Sequence, residues 1–363
     1  MAAITAAQVK ELREATGAGM MDCKKALVET DGNMEKAIDY LREKGLSKAA
    51  KKAGRIASEG LVRMAFNEDG TAACAIEVNS ETDFVAKNPE FISFVEDMSK
   101  IALDATSTDM EAFKAMAYDG VTVGEALTAK IAKIGENLSL RRIDKVSGEV
   151  LSTYIHGGGR IGVAVVGKGD TSDAAKEALV NVAMQVAAMN PQYVSRNDIS
   201  AEELEKIKNI TVESSLNDPF NLPRPILNVL LEKAVAGAWG AEDVAVFEEK
   251  KADKKFNFNF LPNFLSEEAK AKLTALSLEN RATTLENKMF SGAIEGRVSK
   301  QLKEICLMDQ TYVKAEDGKQ TVAQYLASVN KDLAIAKVVR FEVGEGIEKR
   351  EENFAEEVAK QMR

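Results

Sequence analysis

The chain has 363 residues and a formal net charge of −9, and 45% of its residues are hydrophobic. This length predicts more than one structural unit. The acidic balance disfavours a protein that coats nucleic acid, since such binding neutralises phosphates. No apolar run reaches the roughly 18 residues that a membrane helix needs. Residues 1–10 lack the pattern of a signal peptide, so we expect a cytoplasmic location and no membrane contact.

The small numbers of histidines and cysteines restrict the kinds of enzyme and metal site that the chain can form. A Ser-His-Asp or Cys-His hydrolase would have to use His156, the single histidine, and a metal site would have only this His ligand. Cys23, Cys74 and Cys306 lie far apart in sequence, which indicates neither a disulfide framework nor a metal site. We therefore predict buried or half-buried thiols, no metal, no cofactor and no catalytic centre.

Three short helices are predicted in the N-terminal segment. Thr5 and Gln8 form a capping box, a second helix covers about 22–29, and a third begins at Asn33 and ends at Gly45. Met20 and Met21 follow a glycine-rich turn, where they either form an exposed apolar patch or fill the core.

A basic run without acids joins this segment to the rest of the chain. It predicts a solvated linker, with nucleic-acid contact as the alternative. The run consists of Lys44, Lys48, Lys51, Lys52 and Arg55.

Strands dominate the pattern after Ser58. Residues 61–66 and 71–79 flank a four-residue turn and predict a hairpin. A helix entered at Pro89 and another capped by Thr122 follow, and a strand is predicted over 138–146.

The same order then recurs. Residues 150–155 and 161–166 predict a second hairpin, 172–189 a long helix, and 336–343 a closing strand. This repetition predicts an α+β fold whose two related halves are antiparallel sheets, each with helices on one face.

Residues 200–296 interrupt the second half. The segment is helical at both ends and proline-rich in the middle, and the alternation of Phe and Asn over 256–260 predicts a half-buried strand. These rings pack either on the segment's own helices, as a compact subdomain, or on a second copy. A last short helix is predicted from the cap at Asn353.

Three glycine-rich segments match known sequence motifs, but the residues around them do not form the structure that each motif requires. Gly157–Gly162 fits a dinucleotide motif, but a β-run follows it where a helix is needed. Gly162–Lys168 fits the start of a P-loop, but its middle is an apolar strand and residue 169 is glycine. His156–Gly159 is similar to the oxyanion segment of esterases, yet no nucleophile elbow accompanies it.

The most informative segment, residues 79–89, joins a strand to a helix. Phe84 and its neighbour Asp83 can project outward from this loop, or Phe84 can turn inward as part of the core. From this segment alone, both orientations stay open.

Several segments together resemble the elongation factor Ts family. They occur in the family's order, and the resemblance covers roughly 1–205 and 297–363. The segments are 9–27, 82–87, 134–137, 156–157 and 340–349.

The resemblance implies an N-terminal ubiquitin-associated-like domain, a two-part core, a helical hairpin inserted in the second part, and a C-terminal helix. This chain departs from the family in its mainly helical insertion, which is longer than the simple hairpin. The corresponding ranges are 1–54, 55–146, 147–205 with 297–347, 206–296 and 348–363.

It also implies a guanine nucleotide exchange factor for elongation factor Tu that is not an enzyme. Thr82–Val85 would enter the partner's GTP-binding domain, where Phe84 wedges between helices, Asp83 positions the loop, and the magnesium and phosphate site is disturbed. Further partner contacts are implied for Leu12, Met20, Met21, Ile134, Gly135 and His156. For His156, a neutral hydrogen-bonded surface role is the alternative.

The resemblance implies no direct binding of nucleotide, and it leaves open a homodimer within a two-to-two complex. Two rival functions are an enzyme that uses the glycine-rich turn on a small molecule and a nucleic-acid-binding protein that uses the basic run. Affinity for labelled nucleotides and for tRNA distinguishes them.

Overall fold

The computed structural model describes residues 4–16 and 18–348, so the predicted helix at Asn353 lies outside the described residues. The chain has an α+β fold and divides into two compact units. Unit 1 comprises the residues up to Asn190 together with those from Tyr312 onward, and unit 2 is Pro191–Thr311. Within the described part, no helix combines the length and apolarity required to cross a membrane.

Unit 1 begins with helices α1 (Ala6–Thr16), α2 (Met20–Glu29) and α3 (Met34–Ala50). The capping box predicted at Thr5 is present, and the Asn33 side chain accepts a hydrogen bond from the Lys36 N–H at 3.0 Å. The small shared core explains why these short helices are ordered, since isolated helices of this length are marginal in water. Its buried residues are Val9, Leu12, Cys23, Ala26, Leu27 and Ala37.

The prediction that α3 ends at Gly45 is wrong, whereas the basic run is solvated as predicted, with Lys44, Lys48, Lys51 and Arg55 exposed. The helix continues to Ala50, and Gly45 is buried with its Cα facing Ala132, whose Cβ would lie 3.8 Å from a Cβ at position 45. Glycine here permits close packing of two helices and does not terminate α3. The basic run therefore lies partly on an ordered helix.

The first sheet is antiparallel with strand order β1-β2-β5. Between β2 and β5 the chain forms four helices and a small two-stranded sheet. In chain order the elements are β1 (Glu59–Phe66), β2 (Ala72–Ser80), α4 (Asp83–Ala86), α5 (Pro89–Asp104), α6 (Met110–Lys114), β3 (Ala117–Tyr118), β4 (Val121–Thr122), α7 (Val123–Ile134) and β5 (Leu138–Ser147). The predicted hairpin and both predicted helix starts are confirmed.

The second sheet has the same plan, a hairpin whose second strand also pairs with a later strand, in the order β6-β7-β8. Two helices, α8 and α15, belong to this half. The elements are β6 (Val150–His156), β7 (Ile161–Lys168), α8 (Asp173–Met189), α15 (Val322–Val329) and β8 (Ala334–Glu342).

The two sheets pack face to face, and helices cover their outer faces. Side chains alternate along β2, so that Cys74 and Ile76 contact the helix layer of α5 and α7 while Ala73 and Ala75 contact the other sheet. The core between the sheets includes Val62, Val146, Leu151, Ala164, Val166, Val339, Phe341 and Val343.

Unit 2 is helical. Its α-helices are α9 (Ala201–Asn217), α10 (Arg224–Lys233), α11 (Ala241–Ala252), α12 (Glu267–Glu279), α13 (Arg281–Leu285) and α14 (Lys288–Ile305). A π-helical turn follows α10 at Ala234–Ala238, and short 3₁₀ helices occupy Arg196–Asp198, Pro219–Asn221, Phe258–Asn263 and Leu307–Asp309. Its core contains Leu216, Leu227, Leu230, Leu231, Trp239, Leu261, Leu273 and Phe290.

The predicted strand over 256–260 is wrong, because Phe258–Asn263 is a 3₁₀ helix. The Asn257 side chain accepts from the Asn259 N–H at 3.0 Å, a local turn that competes with extended backbone. Phe256 and Phe258 pack on unit 2's own core, as one of the two alternatives proposed.

Candidate functional site

Residues 82–87, called here the Phe84 turn, leave the end of β2 as a single helical turn. Thr82 is the N-cap of α4, and its hydroxyl oxygen accepts from the Val85 N–H at 3.4 Å. Val85 is buried, whereas 81% of the Phe84 surface is exposed. The inward orientation of Phe84 is therefore excluded: Val85 anchors the turn and Phe84 projects from it.

Asp83 forms an ion pair within the same turn. Its carboxylate accepts a hydrogen bond from the Lys87 ammonium at 2.6 Å, and this bond lowers the pKa of Asp83 below its usual value. Both side chains are exposed. Asp83 is thus negatively charged at neutral pH and lies beside the exposed ring of Phe84.

A loop after α7 contacts the Phe84 turn directly. Gly135 ends α7 in the left-handed conformation at φ 91°, and Ile134 packs at the edge of the core of the first sheet. Glu136 accepts from the Thr82 hydroxyl at 2.7 Å and from the Thr82 N–H at 3.0 Å. The structure therefore brings Ile134 and Gly135 next to the residues predicted to enter the partner.

The end of the N-terminal helical segment also meets this loop. Glu81 accepts from the Asn137 N–H at 2.6 Å and lies 3.5 Å from the Arg55 guanidinium. The Asn137 amide donates to the Arg55 carbonyl at 2.7 Å, and the Lys52 ammonium donates to the Gly135 carbonyl. Two members of the basic run are therefore occupied in holding α3 and this loop together.

Of the three residues predicted to form a contact patch on the N-terminal helices, two are exposed and one is buried. Met20 and Met21 lie in the first turn of α2, with 58% and 74% of their surfaces exposed, so neither is a core residue. The assignment of Leu12 to this patch is corrected: Leu12 is 0% exposed and packs inside the three-helix core. Its apolar side chain lies on the face of α1 that packs into this core.

His156 ends β6 and is exposed. Its Nδ1 lies 3.0 Å from the Tyr154 hydroxyl, so a hydrogen-bonded surface role is compatible with the structure. The following glycines form a turn between two strands, with no helix after them, which confirms that the dinucleotide and P-loop matches are strand segments.

The turn after His156 lies at the end of the first sheet from which the Phe84 turn emerges. Arg160 is 3.5 Å from the Glu59 carboxylate, and Glu59 pairs with Ser80, the last residue of β2. His156, the Phe84 turn and the loop at Gly135 therefore share one end of unit 1, whereas Met20 and Met21 lie on α2, which packs in the separate core of the N-terminal helices.

Sequence reasoning did not identify Glu81, Glu136, Arg55 and Lys52 as parts of this site. The contacts of the two glutamates join residues 54 and 56 positions apart, and no local pattern encodes such pairs. The only local sequence feature that pointed to this part of the site was Gly135, which ends a helix. Within the described ranges, no cluster of three or more His, Cys, Asp or Glu side chains is placed to hold a metal.

An exposed aromatic ring on a turn fixed by surrounding side chains, on an α+β frame, is typical of a protein-binding surface. Comparison with known proteins identifies the class more closely. The family model described as "Elongation factor TS" matches residues 81–345. The chain is 45% identical to elongation factor Ts of Clostridioides difficile (strain 630), with all of both chains covered.

Other relatives agree. Elongation factor Ts of Clostridium kluyveri is 42% identical and that of Clostridium novyi (strain NT) 41%, each with 99% of both chains covered. These matches place the chain among the elongation factors of protein biosynthesis. It belongs to the elongation factor Ts family.

Proposed function

We propose that the chain is the guanine nucleotide exchange factor for elongation factor Tu. It binds the GDP complex of elongation factor Tu, inserts residues Thr82–Val85, and promotes GDP release so that GTP can bind. Family membership supports the identity of the partner. The observation that carries the mechanism is the 81% exposed ring of Phe84 on an anchored turn.

The physical basis is differential binding. Burying an exposed phenylalanine in a partner stabilises the complex by about 1.5–3 kcal/mol. If Phe84 fits only a partner whose helices have moved apart, this energy favours a conformation with a disturbed magnesium and phosphate site. GDP and the factor then weaken each other's binding by the same factor, since coupling between sites is reciprocal. No bond is made or broken, so the proposal needs no catalytic residue.

The remaining contacts follow from position. Ile134 and Gly135 lie beside the Phe84 turn and would extend its contact with the GTP-binding domain. Met20 and Met21 would form an apolar contact from a ubiquitin-associated-like N-terminal domain, residues 1–54. His156 would meet a different domain of the partner. Because translation elongation is cytoplasmic, the chain would act there.

The decisive experiment measures release of fluorescent GDP from purified bacterial elongation factor Tu after a chase with unlabelled GDP. The full chain is added over a range of concentrations, which yields a maximal release rate and a half-saturating concentration. We expect release to accelerate and to saturate. A release rate that does not depend on the added chain would overturn the proposal, and the mass of the complex would show whether it is two-to-two.

A further inference from the structure

The Phe84 turn is too short to be stable by itself. Helix α4 has four residues, whereas isolated helices need roughly 12–15 residues to be even marginally stable in water. The direction in which Phe84 points must therefore come from contacts with the rest of unit 1. The burial of Val85 supplies one of these contacts, and the polar ones centre on two glutamates.

Glu81 and Glu136 form a reciprocal pair of hydrogen bonds between two loops. Glu136 accepts the N–H of Thr82, the residue after Glu81, at 3.0 Å. Glu81 accepts the N–H of Asn137, the residue after Glu136, at 2.6 Å. We call this arrangement the glutamate interlock. Bonds of this kind to an ionised acceptor are stronger than neutral ones.

The interlock fixes the N-cap itself. Glu136 also accepts from the Thr82 hydroxyl at 2.7 Å, so both the backbone and the side chain of Thr82 are held by one carboxylate. The Ser80 hydroxyl donates to the Thr82 carbonyl at 3.0 Å. Because the Thr82 side chain caps α4, the orientation of that residue determines the orientation of the whole turn.

We propose that Glu81 and Glu136 are positioning residues for exchange: they preorganise the Phe84 turn in the free protein and so raise the maximal rate of GDP release, rather than the affinity for the partner. This inference rests on the proposed function. Preorganisation removes the entropy cost of ordering the turn at the step in which Phe84 enters the partner, so this cost does not add to the barrier for displacement. Through Arg55 the same interlock joins the turn to the N-terminal helical segment.

The test combines Glu136→Ala with Glu136→Gln in the exchange assay. We expect Glu136→Ala to lower the maximal release rate about tenfold, which corresponds to about 1.4 kcal/mol. Its half-saturating concentration should change less than about threefold, because the energy of an ordered turn is used in the displacement step. Glu136→Gln, which keeps a carbonyl acceptor for the Thr82 N–H, should restore most of the rate.

Glu111→Ala is the matched control, since Glu111 is an exposed glutamate on α6 that pairs with Lys114. Amide hydrogen exchange of the free proteins provides a readout that does not depend on the partner. Residues 83–87 should exchange faster in Glu136→Ala than in the wild type, and at the wild-type rate in Glu111→Ala.

Glu81→Ala removes the other half of the interlock, the bond from the Asn137 N–H, so it tests the inference if Glu136→Ala fails to fold. Where both fold, combining it with Glu136→Ala should be less than additive, since both changes act on one interlock. An unchanged maximal rate and unchanged amide exchange in the variants would overturn the inference. So would a loss of affinity equal to the loss of rate. A wild type that does not accelerate GDP release would instead remove the proposed function, and amide exchange would still decide whether the interlock orders the turn.

Discussion

Two of the segments that expose phenylalanine rings are held in different ways. The Phe84 turn is fixed by carboxylates and backbone N–H groups, and its ring stands clear of the core. In residues 256–264 of unit 2 the rings contact one another edge to face, with centroids of Phe256 and Phe258 5.6 Å apart. Lys250 lies 4.5 Å from the centroid of the Phe264 ring.

The two segments therefore differ in what supports an exposed ring: polar contacts hold the Phe84 turn, whereas the rings of unit 2 pack on one another. Aromatic rings that pack against one another and against a lysine ammonium already gain stabilising contacts within their own chain. Their partial exposure is then a consequence of this packing and does not require a partner. A single ring held outward by polar groups gains nothing within its own chain. Exposure alone therefore does not identify a binding residue, and the proposal for Phe84 rests on exposure together with a rigid polar support.

The largest expected effect tests this comparison directly. Phe84→Ala should lower the maximal GDP release rate by about two orders of magnitude, the loss expected if up to about 3 kcal/mol of burial in the partner is removed. Its thermal unfolding should match that of the wild type, since the ring contributes no core contact.

Phe264→Ala in unit 2 is the matched control, because 48% of the Phe264 surface is exposed while its ring contacts Phe256 and Lys250. It should change neither release rate nor half-saturating concentration. A loss of exchange in Phe264→Ala comparable to that in Phe84→Ala would show that the two segments do not differ as argued.

The second prediction concerns the frame behind the Phe84 turn. Glu77 is fully buried between the sheets and accepts from Arg141 at 2.8 Å, Arg142 at 2.6 Å and the Gly344 N–H at 2.8 Å. Burial raises the pKa of Glu77, but the hydrogen bonds and the Arg142 charge outweigh it, and the net pKa lies below its usual value.

Glu77→Gln should therefore destabilise unit 1 at pH 7 by about 2 kcal/mol, because Arg141, Arg142 and the Gly344 N–H lose an ionised hydrogen-bond acceptor. The folded-state pKa is lower than the unfolded value of about 4.3, so the stabilisation is present above that pH and disappears as pH falls through the folded pKa. Urea unfolding followed by circular dichroism should show the variant and the wild type converging below about pH 4. A constant difference across this range would contradict the assigned role of Glu77.

Local patterns predicted most of this frame. The capping box at Thr5, the helix cap at Thr122 and the turn before β2 depend on neighbours in sequence, and the structure contains all of them. Gly45 was misread because its role is decided by Ala132, on a helix far along the chain. The strand over 256–260 failed for a related reason: alternation predicts a strand only where a partner strand exists.

The candidate site was predictable only in part. Phe84, Met20 and Met21 stand on turns that the pattern identifies, although their exposure required the structure. Leu12 belonged to a helical stripe whose inward and outward faces the segment alone does not distinguish. The glutamate interlock depends on two loops that meet only after both halves of the first sheet have folded.

The third prediction separates affinity from rate at the N-terminal helices. Met21→Ala should raise the half-saturating concentration about fivefold, equivalent to about 1 kcal/mol, and leave the maximal release rate unchanged. The reason is that Met21 is exposed on α2, outside the Phe84 turn and the glutamate interlock, so it contributes contact area and not displacement. Titration of the release rate checks this, with Val28→Ala, another exposed position on α2, as the control. A lower maximal rate would indicate that this patch also acts on the nucleotide site.

The smallest effect is expected from removing unit 2. Helices α9 and α14 both contribute to its core, through Leu216 and Phe290, so the replacement must extend over 191–311 and not over a shorter internal stretch. A Gly/Ser linker in that place should leave the release rate and half-saturating concentration within about threefold of the wild type, because none of the predicted contact residues lies in unit 2. A flexible linker also tolerates variation in length at small entropic cost.

Unit 2 also contains the single tryptophan, Trp239, so the loss of tryptophan fluorescence verifies the replacement. Circular dichroism checks that unit 1 remains folded. A folded variant that no longer accelerates GDP release would mean that unit 2 contacts the partner or assembles an active dimer, and its aromatic segment would then have to be regarded as a binding surface like the Phe84 turn.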